Sequence, residues 1–226
     1  MVSQILKFLK ELERNNNREW FQANKERYDF LHKGYVDIVQ QMINNIALFD
    51  PEIAGVGVKE CLFRIYRDIR FSPNKLPYKT HFGAYIAAHG GRNSERSGYY
   101  LHLEPDNCFL SGGIWMPQPK LLKKLRKDIY DQIDEFVDIL ENPAFKAIYP
   151  SLEGEMLKRM PAGFPSDFEH EDIIRHKDFC VVANMPERFF LTADWIERAA
   201  DCYKILLPFT RFLNYSVDEY AGAPFH

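Results

Sequence analysis

Arg64, Arg67, Arg70, Lys75 and Lys79 all fall within residues 63–79, interleaved with Tyr66, Phe71 and Tyr78. Guanidinium groups offer paired planar donors to a phosphate or carboxylate, and ammonium groups a mobile point charge, so this mixture suits an anionic ligand. The concentration of charge is local, because the chain of 226 residues carries a formal charge of −3. That total gives no general attraction to nucleic acid or to an anionic membrane, and any such contact must come from a patch. Pro73 and Pro77 restrict the backbone here, which predicts that Lys75, Tyr78 and Lys79 are presented with little ordering entropy left to lose. Arg64, Arg67, Arg70, Lys75, Tyr78 and Lys79 are therefore the expected ligand-binding set. The alternative is an ordinary solvated charge run.

The alternation around these residues predicts a strand over 61–71, with Phe63, Ile65, Ile69 and Phe71 on one face and Arg64, Tyr66, Asp68 and Arg70 on the other. Arg67 falls on the apolar parity. It then needs a carboxylate partner, a ligand, or a bulge that turns it outward. Over 98–104 the same logic sends Tyr99, Leu101 and Leu103 to the core, and lets Tyr100, His102 and Glu104 share a polar face with the arginines. His102, Glu104 and Asp68 are the candidate acid–base groups. A wet sheet face with a few cross-strand ion pairs is the competing reading.

Other chemistry is less well supported. The tip 89–98 is basic and glycine-rich, but it lacks the Gly-Lys-Ser/Thr ending of a phosphate loop, and it reads as a mobile hairpin end. The helix that begins at Pro117 has Lys120, Lys123, Lys124, Arg126 and Lys127 in its first half and acidic residues in its second, against the macrodipole. Either its N-terminal half helps hold an anion, or pairs such as Lys124 with Asp128 and Lys127 with Asp131 offset the penalty. His170 and His176 would not share a helical face, and His81, His89 and His102 read as scattered over the sheet, so no metal site is expected. Ser111-Gly112-Gly113 is not a nucleophile elbow. The cysteines, Cys61, Cys108, Cys180 and Cys202, form no CxxC pair and read as free thiols.

The elements that must position these groups are legible from periodicity. Ser3 can cap a first helix with Ile5, Phe8, Leu9 and Leu12 on one face, and Asn16 with Glu19 looks like the capping box of a long second helix from Trp20 to Ile46. After Gly55 and Gly57 the period shortens to two. Strands are expected over 61–71, 82–88, 98–104 and 108–115, joined by short turns as an antiparallel meander, with one later strand over 179–185. Leu122, Leu125, Ile129, Ile133, Phe136 and Leu140 mark a third helix, a shorter one starts at Asn142-Pro143, and Thr192 can cap a last one that Pro208 is expected to kink by removing a hydrogen bond. The expectation is a single α+β domain over 1–226, with helices packed on one face of a mainly antiparallel sheet. Charges interrupt the N-terminal apolar residues, which predicts a cytoplasmic protein with no membrane partner.

The motifs RIYRDIRFSPNKLPYK, GGIWMP, LKRMPAGF and NREWF resemble those of an uncharacterised family, domain of unknown function 2461. The resemblance runs along essentially the whole chain and implies one full-length domain. It implies no activity, cofactor or catalytic residue. From the residues alone, the expected function is a basic, aromatic-lined pocket for a phosphorylated or carboxylated small molecule, with His102, Glu104 and Asp68 as its acid–base groups if it is catalytic. The alternative is a nucleic-acid or protein interaction module in which Arg92, Arg96 and the lysines of the third helix extend the basic surface. The sequence names no cofactor and no oligomeric state.

Overall fold

Apolar residues at helical spacing form the first layer of this computed structural model, which describes residues 1–222. Helix α1, Val2–Arg14, buries Ile5, Leu6, Phe8, Leu9 and Leu12 and packs on α3. It starts one residue ahead of the expected Ser3 cap, with Met1 in the cap position. The long second helix is divided. Helix α2, Arg18–Ala23, is capped by Asn17, whose side chain accepts from the Trp20 N–H, and α3 runs Lys25–Ile46. Asn24 makes the break. Its side-chain amide donates to the Trp20 carbonyl at 2.9 Å, a local bond that competes with helix continuation. Gly34 lies inside α3, where glycine costs about 1 kcal/mol relative to alanine. The flexible end of the Met1 side chain lies over Gly34, in the space a Cβ would take.

A short α4, Val58–Cys61, leads to the sheet. Its strands are β1 Phe82–Ile86, β2 Gly98–Leu103, β3 Phe109–Ile114, β4 Leu152–Glu153 and β5 Phe179–Asn184. The described residues order them β1-β2-β3-β5-β4 in one antiparallel sheet, with Leu152 opposite Val181 and Glu153 opposite Cys180 at one edge. The fold class is α+β. Three meander strands and the later strand lie where the alternation put them. The expected strand over 61–71 does not form: this stretch makes only isolated bridges, Leu62 with Ala84 and Tyr66 with Tyr78.

The remaining helices are α5 Pro119–Asp131, α6 Ile133–Glu141, α7 Pro143–Ile148, α8 Glu171–Arg175 and α9 Trp195–Ala221. The single helix expected from Pro117 is interrupted at Gln132, which leaves helical geometry. Asn142 caps α7 as its position before Pro143 predicts, accepting from the N–H groups of Ala144 and Phe145. Pro208 is accommodated inside α9. The cysteines form no disulfide, Cys61, Cys108 and Cys180 being buried and Cys202 half-buried, and burial pushes the Cys108 thiol up to about 11. Among the described residues no helix is long and apolar enough to cross a membrane.

The chain resolves into two compact units. The first comprises Met1–Asn93, Tyr100–Leu110 and Asn184–Asp201, and the second Ser94–Tyr99, Ser111–Ala183 and the chain from Cys202 onward.

Candidate functional site

Every side chain of the candidate site belongs to the first unit. Residues 65–67 and 77–79 face each other antiparallel, with the Arg67 N–H donating to the Pro77 carbonyl at 2.9 Å and the Lys79 N–H to the Ile65 carbonyl at 2.8 Å. Tyr66 and Tyr78 are thus a non-hydrogen-bonded pair, and the backbone groups of Tyr78 point away from that partner segment. Buried backbone groups need partners. Asn16 supplies both: its amide donates to the Tyr78 carbonyl at 3.0 Å and its oxygen accepts from the Tyr78 N–H at 3.1 Å. This is the role of Asn16 in place of the expected helix cap. The Tyr78 ring is buried and stacked on Phe21, with centroids 4.0 Å apart, so it anchors the loop and is not presented by it.

The six expected ligand-binding residues divide accordingly. Arg67 does not sit on a strand face; its guanidinium donates to the Leu76 carbonyl and the Ser72 hydroxyl and closes the loop. Arg70 pairs with Asp68 at 2.7 Å on the surface, and its hydrogen bonds hold the Asp68 carboxyl down to about 2. Lys75 donates to the Ile69 carbonyl at 3.0 Å. Arg64 and Lys79 are the two that reach a cleft of about 850 Å³. They line it with Lys33, Lys59 and Arg92, floored in part by Phe63.

The electrostatics of this cleft are one-sided. Its single lining carboxylate, Asp29, is ion-paired with Lys25. Arg92 donates to the carbonyls of Lys59 and Glu60 at 2.9 and 3.0 Å, which fixes its guanidinium at the end of α4 without cancelling its charge. Among the described residues, Lys33, Lys59, Arg64 and Lys79 have no carboxylate within ion-pair distance. The half-buried Lys79 ammonium lies 5.1 Å from the centre of the Phe63 ring. Burial, then Arg64 and Arg67, hold its pKa below the usual lysine value.

Tyr100, His102 and Glu104 meet on one side of β2 as its alternation predicts, but not with the arginines: Arg64 lines the cleft and Arg70 pairs with Asp68 on the surface. The Tyr100 hydroxyl lies 2.8 Å from His102 Nδ1, and His102 Nε2 lies 3.2 Å from Glu104 Oε2. Room for the tyrosine comes from β1, where a Cβ on Gly83 would stand 2.7 Å from the Tyr100 oxygen. Thr80 donates to Glu104 Oε1 at 2.6 Å and Asn107 to Oε2 at 2.8 Å. Burial raises the Glu104 pKa, but these bonds and that from His102 outweigh it and hold the carboxyl below its usual range. His102 is buried, stacks on Phe109 at 4.4 Å, and is shifted down by burial against the pull of Glu104. Asp68, paired with Arg70, is outside this hydrogen-bonded chain.

His81 and His102 are not scattered. Their ring centroids are 4.4 Å apart, and burial, followed by His102, brings His81 down to about 4. The basic tip over 89–98 is also less free than its composition suggests: Arg96 is buried in an ion pair with Asp218 and cannot extend a basic surface. On α5, Lys124 pairs with Asp128 and Lys127 with Asp131. Sequence reading missed Lys33 and Lys59. The available signal was Asp29, His32, Lys33 and Val36 recurring at three- and four-residue steps on α3, a face distinct from its apolar seam.

Fold and site together define an α+β protein with a cation-lined cleft and a Tyr–His–Glu chain on its sheet. Residues 4–212 match the family model described as conserved hypothetical protein (DUF2461), and the chain belongs to that family. No curated protein and no solved structure matches it.

Proposed function

We propose that the first unit binds a phosphorylated or carboxylated small molecule in the cleft between Arg64 and Lys79. The observation that carries this reading is the set Lys33, Lys59, Arg64, Lys79 and Arg92 around a space whose one carboxylate is already paired. Unpaired like charges repel, and a chain with an acidic total gains nothing structurally by collecting them. An anion relieves that repulsion, with Arg64 offering a planar fork and Lys79 a partly desolvated ammonium whose contacts are screened less than surface ones.

Inorganic phosphate and a nucleoside diphosphate are the probes. Each raises the thermal midpoint of the wild type by mass action, and the shift disappears in the Arg64→Ala/Lys79→Ala variant. Lys75→Ala, whose ammonium is engaged by the Ile69 carbonyl, keeps it. Absence of any shift at millimolar probe, or an equal shift in the double variant, sinks the reading. The alternative of a nucleic-acid surface is separated by salt: oligonucleotide affinity would fall steeply with ionic strength, by many counterions for an extended contact.

A further inference from the structure

We infer that His81, His102 and Glu104 form a binding site for one divalent transition-metal ion of the zinc class. Two imidazoles and one carboxylate are the ligand set of catalytic zinc and of non-haem iron sites that keep open positions. The ligating atoms of the three residues all lie within 4.8 Å of one another. His102 Nε2 and Glu104 Oε2 are 3.2 Å apart, close to the roughly 3.3 Å between two ligands of a tetrahedral ion with bonds near 2.0–2.1 Å. The ion takes the place of the proton between them, and the neutral His102 ring then carries its single proton on Nδ1, facing the Tyr100 oxygen.

A second observation distinguishes this cluster from an ordinary buried polar chain: the groups around the ligands are arranged as an outer shell. Metal-bound histidines hold their other nitrogen in a hydrogen bond, and metal-bound carboxylates are themselves hydrogen-bonded. Tyr100 lies 2.8 Å from the far nitrogen of His102. Thr80 and Asn107 fix Glu104, and Phe109 stacks flat on His102. His81, by contrast, has no hydrogen bond to any other described residue although its ring is half-buried beside His102. A half-buried imidazole with a free lone pair, facing a second imidazole and a carboxylate, is what an incoming cation needs. The inference is independent of the anion cleft.

The test uses the full chain, stripped with chelator and titrated with Co²⁺ and then Zn²⁺. The expected result is one saturable equivalent, with visible Co²⁺ bands of nitrogen and oxygen coordination that Zn²⁺ abolishes. His81→Ala and Glu104→Gln lose the bands, and Tyr100→Phe weakens binding 10- to 100-fold. His170→Ala leaves both unchanged. His102→Ala is avoided as the deciding variant because the ring is buried and stacked; His81→Ala, confirmed folded by circular dichroism, stands in for it. No saturable binding by the wild type, or undiminished bands in His81→Ala, overturns the site. The phosphate shift of the wild type is read separately, so failure of the metal site does not stand or fall with the cleft.

Discussion

The stretch 63–79, which lends Arg64 and Lys79 to the cleft of the first unit, and helix α5 of the second both look like basic patches in the sequence, and they differ in what the cations face. Lys124 on α5 pairs with both Asp128 and Glu219, and Lys127 with Asp131. In the same unit Arg96 pairs with Asp218, Arg175 with Glu171, and Lys177 with Glu155. In the cleft, Lys33, Lys59, Arg64 and Lys79 face one another and a single carboxylate that Lys25 already holds. Charge density along a chain therefore does not locate a binding surface. What separates the two regions is whether the fold sets carboxylates beside the cations.

The strongest way to break that contrast is at the buried pair. Arg96 is 6% exposed, and its ion pair with Asp218 is mostly out of water. Asp218→Ala removes one carboxylate from a buried guanidinium that keeps its other contacts and costs about 1.5–3 kcal/mol, the range of a hydrogen bond to a charged group, read as a shift in the urea midpoint. A loss under about 1 kcal/mol would mean that the paired cations of the second unit are no more structural than those of the cleft.

Next in size is acid sensitivity in the second unit. His176 is buried, its Nδ1 has no partner, and its carbonyl accepts from Arg126 at 2.6 Å. Burial shifts it below 6.5, with Asp172, Asp178 and Glu153 pulling up and Arg126 pushing down. Below pH 6.5 the unfolded chain takes up a proton that the folded chain refuses, so stability falls as the pH drops from 6.5 to the lowered value. His176→Gln flattens part of that slope in urea unfolding at pH 7 and pH 5. An unchanged slope would place the acid sensitivity elsewhere.

How much of this was legible follows from which interactions are local. The seams of α1, α3 and α5 and the alternation of β2 are patterns within one element, and they placed the helices, most strands and the Tyr100, His102 and Glu104 face. Where the sequence misled, a distant side chain had taken over. Asn16, which reads as a helix cap, instead satisfies both backbone groups of Tyr78 far along the chain, and the period-two pattern over 61–71 reads as a strand but makes only isolated bridges to Ala84 and Tyr78. Arg67 looked exceptional only on the strand parity. His81 lies just ahead of β1, and nothing in its neighbours announces that its ring meets His102. The cleft likewise draws Lys33, Lys59 and Lys79 from separate elements, a convergence that only the fold produces.

The smallest effects sharpen the contrast most, because they differ in sign. Lys127 forms an i,i+4 pair with Asp131 in which both side chains are largely exposed. Such pairs contribute about 0.3–0.5 kcal/mol, so Lys127→Ala lowers stability by that order at low salt. Arg64 stands beside Lys79 with no carboxylate within ion-pair distance and only a longer-range attraction to Asp68, which Arg70 already holds, so Arg64→Ala relieves net repulsion and raises stability by a few tenths of a kcal/mol under the same conditions. Salt screens both terms, since the Debye length shrinks from about 10 Å at 0.1 M to about 3 Å at 1 M. The two variants should therefore lie on opposite sides of the wild type in dilute buffer and converge on it in 1 M sodium chloride. If Arg64→Ala instead loses stability at low salt, Arg64 has a structural partner, and the cleft is a compensated surface like that of α5.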